Sequence, residues 1–211
     1  MNRSDYYYAF YKWVREKIED FSINHLDDVR TKTESYILDS LKFITFNFDN
    51  NSILIRKNIN AETMIGDIQF NQLHHFYNLF CREIFGRDYL KISPAQKPMC
   101  FASLDVNGTR YWREMGEFSN IHLHTIWMID PNDMQHFLSV RDKALQANQF
   151  DFKQIHIRNL DNSGDIEENI RNIVMYNLKF DRFNIEEADI ENNFRLYPTE
   201  DGFGRYKLQN W

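Results

Sequence analysis

Between Tyr8 and Phe21, apolar residues at Phe10, Trp13, Val14 and Ile18 recur at helical spacing, and Asp27 to Leu38 repeats the habit less cleanly. Two helices are predicted there. Leu41 to Phe48 alternates with aromatic and β-branched side chains, Asp49, Asn50 and Asn51 turn the chain, and Ser52 to Ile59 reads as a returning strand, so a hairpin is expected. Ile68, Leu73, Phe76, Tyr77, Phe80 and Ile84 mark an amphipathic helix over Asp67 to Phe85, with Gly86 as its stop. Met99 to Val106 and Thr109 to Met115 read as strands joined by Asn107 and Gly108, the strongest short hairpin signal in the chain. After a turn over Glu117 to Asn120, Ile121 to Ile129 is the most strand-like run. A helix from Pro131 and Asp133 to about Leu145, a strand over Phe152 to Ile157 and a helix over Asp165 to Phe180 follow. Beyond Arg182 the pattern fades into a polar, aromatic-spotted tail.

Strands with helices between them, several joined by tight turns, predict an α+β fold with helices on one face of an antiparallel sheet and the other face open to a substrate. The first forty residues form an N-terminal helical extension or accessory layer, and residues 183–211 a C-terminal tail. No repeat or low-complexity tract interrupts the chain.

Composition narrows the class. Of 211 residues, 43% are hydrophobic and 16% aromatic, with only 7 Gly and 4 Pro, which excludes a disordered or fibrous chain. The net charge of −6 gives no global positive field, so a nucleic-acid role requires locally placed cations. Cys81 and Cys100 lack the spacing of a metal clip or disulfide framework and read as buried, reduced thiols. No leader-like h-region or spanning apolar run is present, so a cytoplasmic protein without membrane contact is expected, and Asn50-Asn51-Ser52 and Asn107-Gly108-Thr109 are turn sequences.

The chemistry concentrates in three segments. In Ile121-His122-Leu123-His124-Thr125-Ile126-Trp127, two-residue periodicity puts both histidines on one strand face, while Ile121, Leu123, Trp127 and Ile129 point to a core. Imidazoles at i and i+2 stand about 6.5 to 7 Å apart by strand rise, close enough to converge on one divalent cation. Glu114, from the preceding strand, completes a His-His-carboxylate set if the two strands pair, with Glu117 the second choice. In the last helix, Ile166, Ile170, Ile173 and Val174 form the buried stripe and Tyr176 lies at its edge beside Asn172 and Lys179. The ammonium of Lys179 can stabilise a phenolate or a phosphate in front of that tyrosine. In the strand Leu41 to Asn47, Thr45 and Asn47 share a face with Phe43 and could line the open sheet near a bound backbone or a metal-bound water. Each pattern alone is equally that of solvated histidines, a half-buried tyrosine with a snorkelling lysine, or an ordinary strand.

Taken together and in order, the three segments resemble the HUH endonuclease superfamily, particularly the single-tyrosine initiators of rolling-circle replication. Leu-Lys-Phe-Ile-Thr-Phe (41–46) is similar to the family's hydrophobic first motif, Ile-His-Leu-His (121–124) to its His-hydrophobic-His motif, and Tyr-Asn-Leu-Lys (176–179) to its Tyr-x-x-Lys. The stretch 113–117, Arg-Glu-Met-Gly-Glu, also resembles the Glu-bearing strand of some initiators. The resemblance implies a ferredoxin- or RRM-like sheet of about five antiparallel strands with flanking helices, in an endonuclease domain over residues 41–182. It implies nicking and joining of single-stranded DNA through a 5′-phosphotyrosine on Tyr176, with Lys179 on the phosphate or the phenolate. A divalent ion, Mn²⁺ or Mg²⁺, would be held by His122, His124 and a glutamate. Partners would be single-stranded DNA or a hairpin origin, together with a host helicase and replication machinery. Where two-tyrosine initiators carry the second nucleophile, this chain has Phe180, and it has no Gly-x-x-x-x-Gly-Lys-[Ser/Thr] phosphate loop, so unwinding would fall to a partner.

Phosphate contacts normally dominate DNA affinity. Lys42, Arg110, Arg113, Arg171 and Lys179 are the cations expected around the open sheet face with Thr45, Asn47 and Asn172, and Asp27, Asp28, Glu186 and Glu187 are expected on the far side. A transposase or relaxase, the latter using Tyr6, Tyr7 or Tyr8, is an alternative within the superfamily. A sheet that binds nucleic acid or a partner without metal is an alternative outside it. A two-histidine phosphoesterase needs two separated His-x-Thr/Ser motifs; His124 is followed directly by Thr125, and no second copy is present.

Overall fold

A computed structural model of the chain describes residues 3–26, 33–49, 53, 66–105, 121–147, 149–160, 165–178 and 194–198. In chain order the elements are α1 (Arg3–His25), α2 (Thr33–Ser40), β1 (Leu41–Phe48), α3 (Asp67–Phe85), β2 (Met99–Asp105) and β3 (His122–Met128). They continue with α4 (Met134–Gln146), β4 (Phe152–Asn159), α5 (Ile166–Asn177) and β5 (Phe194–Tyr197). Short 3₁₀ turns lead out of α3 and into α4. The helix over Asp67 to Phe85 ends as its sequence requires, because Gly86 takes φ +73°, a left-handed conformation that a Cβ makes costly.

The strands form one antiparallel sheet in the order β4-β1-β3-β2-β5. β1 therefore lies between β4 and β3, with both backbone edges occupied. The expected hairpin between Leu41–Phe48 and residues 52–59 does not form: Ile53 is helical and donates back to the Asp49 carbonyl, while the rest of that segment lies outside the described residues, as does Thr109 to Met115. The expected strand beginning at Met99 is present, but it does not alternate. All seven residues of β2 are buried, the mark of a strand covered on both sides.

Both faces of the sheet carry helices, which corrects the expectation of helices on one face only. On one face Phe70, Leu73, Phe76 and Phe80 of α3 and Phe137 and Val140 of α4 pack against Ile44, Phe46, Leu123 and Trp127. Trp127 is fully buried, and its indole N–H donates to Thr125 Oγ1, whose hydroxyl donates to the Ile44 carbonyl, so the polar edge of the largest core side chain is satisfied. On the other face Phe10, Val14, Ile18 and Phe21 of α1, Ile37 of α2 and Ile170 and Val174 of α5 cover Leu41, Phe101, Ile126 and Met128. The N-terminal helices thus share this core. Arg15 of α1 donates from Nε to both carboxylate oxygens of Glu167 on α5, at 2.8 and 2.9 Å, and Tyr11 donates to the same carboxylate at 3.0 Å.

The tail beyond Arg182 contains a strand that the sequence pattern does not reveal. β5 pairs with β2 through Phe194↔Ser103 to Tyr197↔Cys100, and Phe194 and Tyr197 point into opposite cores, so four residues give no alternation to read. No helix among the described residues is long and apolar enough to cross a membrane.

Candidate metal centre

The face covered by α1, α2 and α5 is not apolar throughout. Along β1, β3 and β2, the positions on that face change from apolar at one end, Phe43, Ile126 and Phe101, to polar at the other. The antiparallel register lines up two polar rows across four strands. One row is His156, Thr45, His124 and Ser103, and the next is Gln154, Asn47, His122 and Asp105. Each strand contributes through its two-residue period, so the rows exist only because the register brings the polar positions into phase.

At the β3–β2 end of these rows, His122 and His124 turn their Nε2 atoms to the same oxygen of Asp105. The separations are 3.2 Å from His122 and 3.0 Å from His124, and the imidazole centroids are 4.8 Å apart. Asp105 is 0% exposed and His124 is buried, while His122 keeps a small opening to solvent. The three ligand atoms all lie within 4.8 Å of one another. A buried carboxylate with two imidazole nitrogens aimed at one of its oxygens brings three ligand atoms to one point, and the group could hold a metal ion. Thr45 Oγ1 lies 3.1 Å from His124 Nδ1. That hydrogen bond orients the ring and, with the ring proton on Nδ1, leaves the Nε2 lone pair for an ion.

Both histidines singled out from the sequence are therefore in the site, and Thr45 is their neighbour. The carboxylate that meets them is Asp105, which sequence reasoning did not single out; Glu114 and Glu117, expected in that role, lie outside the described residues, as do Arg110, Arg113 and Lys179. An acid two residues after Ser103, in the same phase of a strand whose other positions are apolar, was the available signal. It becomes informative only with the β2–β3 register, which sets Asp105 opposite His122. Asn47 lies opposite His122 on the other side.

Tyr176 stands beside this group from the last turn of α5. It is 44% exposed, its ring centroid is 4.9 Å from that of His124, and it meets Phe43 edge-on at 5.6 Å. The helix end that bears it is pinned: the next residue, Asn177, is buried and donates through Nδ2 to Ser103 Oγ at 3.0 Å. Asn172 lies on the same side of α5 and lines a groove of about 600 Å³ that starts at Thr45, His124 and Tyr176.

Comparison with protein-family models, curated proteins and solved structures returned no match. The functional reading rests on the side-chain geometry. Two expected DNA-facing cations stand elsewhere. Lys42 points to the opposite face of the sheet, where its ammonium donates to the Asp39 carbonyl and burial lowers its pKa. Arg171 is exposed on the side of α5 whose charge bears on Tyr11 of α1. Two residues of β4 that the sequence reading did not weigh, His156 and Arg158, line the groove instead. Of the tyrosines near the N-terminus, Tyr7 packs against the second core and Tyr8 is exposed.

Proposed function

We propose that this protein is a metal-dependent endonuclease and strand transferase that nicks and rejoins single-stranded DNA, of the kind that starts rolling-circle replication. The observation that carries the reading is the convergence of His122, His124 and Asp105 with the half-exposed phenol of Tyr176 beside them. His122, His124 and Asp105 would hold a divalent ion, Mn²⁺ by the preference of nitrogen donors or Mg²⁺ by abundance, which would supply Lewis-acid polarisation of a phosphodiester and neutralise charge in its transition state.

The chain's own groups do the rest. Tyr176 presents its hydroxyl to phosphorus; the phenolic oxygen–phosphorus bond forms as the bond to the 3′ oxygen breaks, and the phenolic proton ends on that oxygen. The products are a 5′-phosphotyrosine and a free 3′-hydroxyl, and the retained ester energy allows rejoining without ATP. Thr45 holds His124 through Nδ1, and Asn177 holds the end of α5, so the phenol approaches in a fixed geometry. Lys179, the cation of the Tyr-x-x-Lys sequence, is assigned to the scissile phosphate or the phenolate.

Incubation with Mn²⁺ and a random single-stranded DNA pool, followed by denaturing electrophoresis, tests this. A covalent adduct is expected from the wild type and none from Tyr176→Phe or with chelator. An adduct that survives in Tyr176→Phe assigns the nucleophile to the N-terminal tyrosines. Chelator-insensitive DNA binding without any adduct replaces the enzyme with a binding module.

A further inference from the structure

The groove that begins at Tyr176 continues past it between α5 and the edge strand β4. Its floor is apolar, with Phe43, Ile173 and the buried Leu160. Its rims differ. On α5, Asn169 and Asn172 stand at i and i+3 and present neighbouring amides. On β4, His156 and Arg158 stand at i and i+2 on one strand face, opposite Thr45 and Phe43 in the register. Among the described residues that line the groove none is acidic, in a chain that carries 31 acidic residues.

We infer that this groove is a reading subsite for one unstacked nucleotide next to the bond that is cut, an inference that rests on the function proposed above. A flat apolar floor accepts a base face, and it does so for every base, so the floor alone supplies affinity without choice. An asparagine amide carries a donor beside an acceptor, the pattern that pairs with a base edge and discriminates between bases, and Asn172 stands exposed on this rim with Asn169 one turn before it. Arg158 on the opposite rim holds the backbone phosphate of that nucleotide, which fixes position and carries no sequence information. The volume of about 600 Å³ is of the size of a small-ligand site, and the proposed nucleophile Tyr176 is one of its lining residues, so the nucleotide adjoining the scissile phosphate comes within reach of this groove.

The two rims make opposite predictions, which a single pool experiment separates. Adducts formed by the full chain with Mn²⁺ and random single-stranded DNA are sequenced, for wild type, the double variant Asn169→Ala/Asn172→Ala, and Arg158→Ala. Wild-type adducts are expected to favour particular bases near the junction. The double variant relaxes the preference about tenfold at one position and leaves the pattern elsewhere. Arg158→Ala weakens binding evenly across sequences and lowers the slope of log affinity against log salt by about 1. Adducts with identical base preferences in wild type and double variant, or wild-type adducts with no preference at all, overturn the subsite and leave the nicking activity standing. Absence of an adduct from wild type removes the proposed activity and the subsite with it.

Discussion

Asp105 faces His122 directly across the β2–β3 ladder, and one of its oxygens sits 3.0 Å from Nε2 of the next histidine along, His124. A single carboxylate thus closes the gap between two imidazoles that the strand period places side by side. Asp105→Asn keeps the shape and removes the charge that a divalent cation needs. Wild-type protein is expected to melt at a higher temperature with Mn²⁺ than with chelator, by the equivalent of about 2.7 kcal/mol at a hundredfold excess over the dissociation constant. The variant is expected to lose that difference. Differential scanning fluorimetry with and without metal makes the comparison, and an equal metal response in Asp105→Asn would remove this residue from the centre.

The hydrogen bond between Asn177 and Ser103 joins the end of α5 to the strand that carries Asp105. Removing either partner leaves a buried polar group, so each single alanine variant is expected to lose about 1–3 kcal/mol, with a coupling near 1 kcal/mol in the double-mutant cycle. Urea unfolding of the four proteins gives these numbers. Asn177→Ala also frees the last turn bearing Tyr176 and is expected to slow adduct formation; coupling indistinguishable from zero would dissociate the two side chains.

Acid sensitivity is predicted at the α1–α5 contact. The hydrogen bonds from Arg15 hold the Glu167 carboxyl below its ordinary value of 4.5, and Tyr11 adds to the effect. A folded-state pKa below the unfolded one stabilises the native state at pH above about 4.5, and that contribution disappears as the pH falls through the depressed value. Because Glu167 is partly exposed, solvent screening limits it to about 1 kcal/mol or less. Unfolding midpoints from pH 7 down to pH 3 are expected to fall less steeply for Glu167→Gln than for wild type. Parallel curves would show that the pair contributes nothing.

The two thiols should be inert until the protein opens. Burial pushes the Cys81 thiol up to about 11 and raises the Cys100 thiol well above its ordinary range, and both side chains are fully buried. Titration with a disulfide reagent at pH 8 is expected to detect two thiols in denaturant and almost none in native protein. Rapid native labelling would contradict the packing of β2 and α3.

Elements with a single clear period were legible in the sequence. α3 and α5 carry apolar stripes, and Leu41 to Phe48 alternates, so their positions follow from local spacing. The His pair, Thr45 and Tyr176 were legible too, because each depends on the phase of its own element. Asp105 was not, since its meaning comes from pairing with a strand seventeen residues away along the chain. β5 is too short to show a period. The helices on both faces left one trace, the unbroken apolar run of Met99 to Ala102, which resembles a half-buried strand until its missing polar positions are noticed.

β5 follows α5 in the chain yet closes the sheet against β2. A fragment cut just after the Tyr-x-x-Lys sequence would keep His122, His124, Asp105 and Tyr176 but strip β2 of that neighbour, leaving a row of bare amides and carbonyls on an apolar strand. Such an edge recruits other strands, and the fragment is bound to self-associate. Any shortened version made for crystallisation therefore has to extend past Tyr197.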